Sequence, residues 1–199
     1  MYKNFLKRVI DIIIGIMAFP FVVVISLIVW IFIKLDDGGP LFYMADRIGR
    51  YGKTFKMFKY RSMKVNAPDI KMADGNSYNS EDDVRVTKVG KFLRKTSIDE
   101  IPQFLNVLFG QMSLIGPRPD SLNGMELYPE KEMQAVQVRP GITGWNQVIK
   151  RNSATAIEKL DNDIYYVNHL TFMLDVKIFI LTIKNVLAHR NVYREEPSN

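Results

Sequence analysis

A chain of 199 residues with 47% hydrophobic and 24% charged residues is long enough for one domain with a sizeable core, or for a small domain carrying a membrane anchor. It has no cysteine, which excludes disulfides and thiolate-held metals, and its two histidines, His169 and His189, stand apart in sequence, which argues against a histidine-rich zinc site. The formal net charge of +6 suits a nucleic acid, an anionic lipid or a phosphorylated substrate, and alone it does not choose among them.

The first predicted element is apolar on every face. Ile12 to Ile33 is a run of 22 residues without a charge, preceded by Lys3, Lys7 and Arg8 and followed by Lys34. An unbroken helix of that length measures about 33 Å, enough to cross a bilayer, and a buried helix of a soluble protein is rarely apolar all round. The run is longer than a signal-peptide core. A turn-forming Asp36–Pro40 follows it instead of a cleavage site, so a retained anchor is expected. Pro20, in its middle, predicts a kink. The kink allows either a bent span or a helix that dips in and returns to the same face; positive residues at both ends lean toward both ends facing the cytoplasm. Asp11 lies three residues after Arg8, spaced for an ion pair at headgroup level or for an ordinary interfacial charge.

Beyond the anchor, residues 41–45 and 54–60 read as a small hairpin around the basic loop DRIGRYGK. Residues 65–83 are polar and turn-rich, a surface loop, and 84–95 form a short basic helix near a membrane or an anionic ligand. Ile101, Phe104, Leu105, Leu108 and Met112 recur at helical spacing. Pro102 is harmless only in a first turn, so that helix begins at about residues 98–101, with Asp99 and Glu100 at its N-terminus. Residues 114–120 and 138–145 read as rigid turns, and 153–169 as a helix. Residues 170–188 form a second, very apolar helix, in which Asp175, Lys177 and Lys184 favour an interfacial or core position over a span. The expected fold is α+β: an anchor over 1–35, then a compact, mainly helical domain over 36–199 with a hairpin and interfacial helices.

Asp99 and Glu100 are the candidate chemistry. Aspartate is a common helix cap and glutamate is common in a first turn, so the pair has a purely structural reading. Against it stands the number of cations beside turns and strand ends, among them Lys59, Arg61, Arg94, Arg118 and Arg139. A diphosphate needs several cations, as does the charge that develops in phosphoryl transfer. Two carboxylates can hold magnesium, or one can attack phosphorus directly; the residues alone leave both open. No nucleic-acid-reading module is present to use the basic charge.

Six segments carry a resemblance: KRVIDIIIG (Lys7–Gly15), GPLFY (Gly39–Tyr43), DRIGRYGKTFKMFKYRSM (Asp46–Met63), TKVGKFLRKTSIDEIPQFLNVLFGQMSLIGPRP (Thr87–Pro119), VRPGITGW (Val138–Trp145) and DIYYV (Asp163–Val167). With them the chain resembles the bacterial sugar transferases, the monotopic phosphoglycosyl transferases, in their small form. The resemblance implies a re-entrant helix broken near Pro20 with both ends cytoplasmic. Many members have serine before that proline, where this chain has Phe19. It further implies that Asp99 attacks the β-phosphate of a UDP-sugar, that UMP leaves, and that polyprenyl phosphate then collects the phosphosugar. Glu100 would bind Mg2+ or assist proton transfer, and Asp99 is the other candidate magnesium ligand. Lys59, Arg94, Arg118 and Arg139 would contact phosphate, and Asp163 would orient an arginine. The implied setting is the cytoplasmic face of a bacterial inner membrane, with downstream glycosyltransferases as possible partners. Direct metal-assisted transfer and a non-enzymatic scaffold on anionic lipid are the competing readings. The sugar would be chosen by residues 65–83 and 146–158.

Overall fold

A computed structural model describes residues 2–68, 70, 80, 82–122, 129–150 and 153–188. A π-helical turn, Tyr2–Leu6, leads into helix α1, Lys7–Asp36. Pro20 sits inside α1 without ending it; the missing N–H and the ring clash with the preceding turn are what a kink absorbs. The buried residues of α1, Lys7, Asp11, Gly15, Val22, Val29 and Ile33, form one stripe, so the helix lies against the rest of the chain along its length. The other faces expose Ile13, Ile16, Met17, Phe21, Leu27 and Ile31. Only 17% of its most apolar stretch is buried. A core helix of a soluble protein would be mostly covered, whereas a helix of this length and composition can span or anchor in a bilayer.

Both ends of α1 hold the same body. At the N-terminal end Arg8 donates to the carbonyls of Val107 (2.6 Å) and Leu108 (3.0 Å). Asp11 accepts from Ser113 Oγ (3.0 Å) and the Leu114 N–H (2.9 Å). Arg8 and Asp11, whose spacing allowed an ion pair or an ordinary interfacial charge, instead reach into the protein separately. At the C-terminal end Val29 and Ile33 pack with Tyr60 and Leu93, and Ser26 Oγ lies 2.7 Å from the Tyr60 hydroxyl.

Strands β1, Phe42–Ile48, and β2, Thr54–Tyr60, pair antiparallel with Phe42 opposite Tyr60 and Ile48 opposite Thr54. The hairpin was expected, but its first strand runs three residues past Ala45 into the basic segment. Asp46 faces Lys56 across the ladder and accepts its Nζ at 2.7 Å. The turn is closed by Tyr51 and Gly52, both in the left-handed region. Helix α2, Lys88–Lys95, is capped by the Thr87 hydroxyl on the Gly90 N–H. Gly90 lies directly on the Ser62 backbone, where a Cβ would collide with its carbonyl oxygen.

The amphipathic segment beginning near residue 98 is shorter than its periodicity suggested and comes in two pieces. Ser97, at φ 58°, turns the chain into a 3-10 turn, Ile98–Glu100, and helix α3, Gln103–Leu108, begins only after Pro102. Gly110, at φ 81°, lies just past its end. The fully buried Asn106 ties α3 to β2, accepting from the Phe58 N–H (2.9 Å) and donating to the Lys56 carbonyl (2.8 Å).

The two segments read as rigid turns each take part in a parallel ladder. Strands β3, Ser113–Ile115, and β4, Gly141–Thr143, pair Ser113 with Gly141 and Ile115 with Thr143. The glycines that suggested turns permit this approach, because a Cβ on Gly141 would meet the Gly116 backbone. Helices α4, Pro129–Ala135, α5, Trp145–Ile149, α6, Ala156–Asn168, and α7, Phe172–Leu187, complete the body. A capping box between Thr155 and Glu158 opens α6. Ile115, Val138, Tyr166, Val167 and Ile178 form the core between β3, α6 and α7. As its charges suggested, α7 does not stand free. It packs through Ile178 and leaves Phe172, Met173, Phe179 and Ile183 exposed.

Candidate active site

Four elements deliver five of the expected residues to one place. The 3-10 turn before Pro102 presents Asp99 and Glu100, the end of β2 presents Lys59, and the turn after β3 presents Arg118. Glu100 Oε1 accepts from both Lys59 Nζ (3.0 Å) and Arg118 Nη2 (2.5 Å). Arg94, in the last turn of α2, donates from Nε to Ser62 Oγ at 3.0 Å, and its charge is felt at Asp99. The left-handed Ser97 makes this possible, since it reverses the chain between α2 and the acidic pair.

The two carboxylates differ in environment. Burial tends to raise Glu100, but Arg118 and Lys59 outweigh it and hold the group well below the usual carboxylate range. Asp99 is only 8% exposed. Burial pushes it up to about 6, with Lys59, Arg94 and Arg118 opposing and the Glu100 charge adding to the rise. None of the described side chains donates a hydrogen bond to Asp99, whereas Glu100 is committed to two cations. A buried, unclaimed carboxylate facing cations can act as a nucleophile toward a phosphorylated substrate.

Magnesium binds oxygen ligands and keeps several waters, using one or two carboxylates beside substrate phosphates. Asp99 and Glu100 fit that mode, because both cations on Glu100 take the same oxygen. Among the described residues no three His, Cys, Asp or Glu gather into an all-protein cage.

Arg139 and Asp163 stand apart from this group. Arg139 donates from Nε to the Gly110 carbonyl at 2.9 Å, and the charges that act on it most are Arg8, Arg50 and Asp11. Asp163 is 2% exposed and faces Lys159, Asp120 and Glu132 instead of an arginine that it would orient. These residues line a small cleft behind Arg118. Lys159 donates to Asp120 at 2.5 Å, and burial pushes both Asp163 and Glu132 up to about 7. Glu132 escaped the sequence reading because a glutamate in a short polar helix carries no signal of burial. Residues 69, 71–79 and 81 in the first suggested sugar-selecting segment, and Arg151 and Asn152 in the second, lie outside the described residues.

A family model described as bacterial sugar transferase matches residues 2–189. The chain is 40% identical over 187 residues to EpsL of Bacillus subtilis, an uncharacterized sugar transferase, covering 94% of this chain and 90% of that protein. It is 43% identical over 159 residues to the galactosyl transferase CpsE of Streptococcus agalactiae serotype III, covering 76% of this chain. It is also 38% identical over 190 residues to the UDP-N-acetylgalactosamine-undecaprenyl-phosphate N-acetylgalactosaminephosphotransferase of Aeromonas hydrophila, covering 92% of this chain. The chain spans 35% of the Streptococcus relative's length and 44% of the Aeromonas relative's.

Proposed function

The chain belongs to the bacterial sugar transferase family, and on that premise we propose that it moves a sugar-1-phosphate from a UDP-sugar to undecaprenyl phosphate. The observation that carries the reading is the division between the two acids: Glu100 is spent on Lys59 and Arg118, while the buried Asp99 beside it is unclaimed. An Asp99 oxygen attacks the β-phosphorus of the donor. The bond from that phosphorus to the bridging oxygen breaks, UMP leaves with the electron pair, and the sugar phosphate remains on Asp99. An oxygen of the lipid phosphate then attacks the same phosphorus, and the carboxylate is released. Lys59, Arg94 and Arg118 hold the diphosphate and offset the charge that grows on the leaving oxygen. Bound magnesium would neutralise the diphosphate and make UMP a better leaving group, with Glu100 as its ligand. Two substrates then use one site in turn, the first committed step of a membrane-bound glycan or exopolysaccharide.

The raised Asp99 gives this reading a pH signature. The nucleophile must be ionised, so adduct formation rises as pH climbs through about 6 and levels off above it. The check is the single-turnover rate of UMP release between pH 4.5 and 8.5. An ascending limb near pH 4 would mean that Asp99 is not the group being ionised.

Catalysis belongs at the cytoplasmic face of the bacterial inner membrane, where the nucleotide-sugar and the lipid phosphate meet and where downstream glycosyltransferases would take the product. Re-entry of α1 is supported by the attachment of both its ends to one body, through Arg8 and Asp11 at one end and Val29 and Ile33 at the other. The absence of native cysteine allows a direct test. Single cysteines at Lys3 and Leu35 should both react with an impermeant thiol reagent in inside-out vesicles and neither in right-side-out vesicles. Labelling of the two from opposite sides would establish a span.

A further inference from the structure

Arg139 does not join the acidic pair, and its actual surroundings form a second anion-attracting surface. Arg8 and Arg139 converge on Gly110. Arg139 Nε donates to the Gly110 carbonyl at 2.9 Å, and the Arg8 guanidinium donates to the carbonyls of Val107 and Leu108 in the turn before it. A Cβ on Gly110 would lie 3.1 Å from Arg8 Nη2. Arg50 joins from the hairpin turn, donating from Nε to the Gln137 carbonyl (3.3 Å) and stacking over the Tyr51 ring. Among the described residues none is hydrogen-bonded to the terminal nitrogens of Arg50 and Arg139, and both side chains are half-buried. The neighbouring acid, Asp11, accepts from Ser113 and Leu114 and makes no ion pair with these guanidiniums, although its charge is felt at Arg8 and Arg139. Three guanidiniums are thus held together by backbone carbonyls, and among the described residues Asp11 is the one carboxylate whose charge acts on Arg139, which leaves an excess of positive charge that a bound anion would offset.

The position of the cluster narrows the anion. It stands at the foot of α1, whose other faces are bare apolar surface, and exposed apolar side chains adjoin it on two elements: Phe5 and Leu6 before α1, and Phe109 at the end of α3. Cations rimmed by exposed apolar groups match a phosphate borne on a hydrocarbon chain better than a free ion. We propose that Arg8, Arg50 and Arg139 form a binding site for the phosphodiester headgroup of an anionic bilayer phospholipid. The acceptor lipid is a less suitable occupant. Its phosphate has to reach phosphorus held on Asp99, whose surrounding charges are Lys59, Glu100, Arg94 and Arg118, not these three arginines. The headgroup would fix the depth and tilt of the foot of α1 at the interface, independently of the chemistry at Asp99.

The test is native mass spectrometry of the full chain in detergent micelles that hold equal amounts of phosphatidylglycerol and phosphatidylcholine. Wild type should retain phosphatidylglycerol in preference. Arg50→Gln/Arg139→Gln should lose that preference by roughly 30-fold, on the order of the surface attraction of two basic residues. Arg50→Gln alone, which loses only an exposed contact, should lose part of it and guards against misfolding of the double variant. Lys56→Gln, on the exposed hairpin face, should change nothing. Equal retention by wild type and double variant overturns the site. So does arginine-dependent retention of added undecaprenyl phosphate in place of phosphatidylglycerol, or displacement of phosphatidylglycerol by millimolar inorganic phosphate.

Discussion

Asp99→Asn is expected to form no phosphosugar adduct and to lose about 10³-fold or more in UMP release. An amide oxygen is a far weaker nucleophile than a carboxylate, and removal of a covalent nucleophile costs that much or more in enzymes of this logic. The measurement is intact mass after incubation with a panel of UDP-sugars and magnesium, without lipid acceptor. The adduct mass on wild type would also identify the sugar. The variant should remain folded, and stability makes the control informative. Because burial raises Asp99 to about 6, the folded state takes up its proton more readily than the unfolded chain. Stability therefore falls as pH rises from about 4 through about 6, and the whole cost is present at pH 7.5. Removing that charge should make Asp99→Asn more stable than wild type at pH 7.5 by on the order of 1–3 kcal/mol, and no more stable at pH 4. A dead variant of undiminished stability separates a chemical role from a structural one. If wild type turns over with lipid yet never carries the adduct, while the variant is dead, Asp99 is a metal ligand and transfer is direct.

What the sequence revealed follows the range of the interaction involved. The apolar run, the hairpin, α2, α6 and α7 were legible because hydrophobic period and capping residues act within one element. The pairing of β3 with β4 was not, because two three-residue strands some 28 positions apart in sequence have no period to read, and glycines that enable close backbone contact look like turn formers. The break between the 3-10 turn and α3 was half visible. Pro102 showed where a first turn must be, but nothing marked Ser97 as left-handed. The site divided in the same way. Asp99 and Glu100 stood out as neighbours at a helix start, and the family resemblance supplied Lys59, Arg94 and Arg118. The ion pairs of Glu100 with cations 41 and 18 residues away depend on tertiary approach. That approach also separates Arg139 and Asp163 from the acidic pair, although all lie in segments of equal resemblance.

Asp175→Asn is the substitution expected to destabilise the fold most. In the sequence this aspartate only argued against α7 as a membrane span; in the structure it is where the N-terminal apolar helix is fastened to the body. Its Oδ2 accepts from Lys7 Nζ (2.6 Å) and the Tyr2 hydroxyl (2.5 Å), and its Oδ1 from the Tyr166 hydroxyl (2.7 Å). Burial and the adjoining carboxylate push the Tyr166 phenol far up, so it stays a donor. The Lys7 and Asp175 side chains are only 10% and 5% exposed. Asparagine keeps the shape and leaves a buried ammonium facing a neutral amide, which costs about 3–5 kcal/mol when one partner of a buried pair is removed. Thermal unfolding in detergent should register the loss, and limited proteolysis should cut first near residue 7. Replacing both partners, Lys7→Met with Asp175→Leu, should recover much of it, because no uncompensated charge remains. A single variant that melts at the wild-type temperature would mean that water already reaches the pair. Under the proposed function the fastening would also serve the chemistry: α1 and α7 both expose apolar side chains, and tying them together would let them meet the membrane as one surface. On that reading the shared surface would set the height of Asp99 above the lipid, which is what an enzyme must control when one substrate comes from water and the other stays in the bilayer.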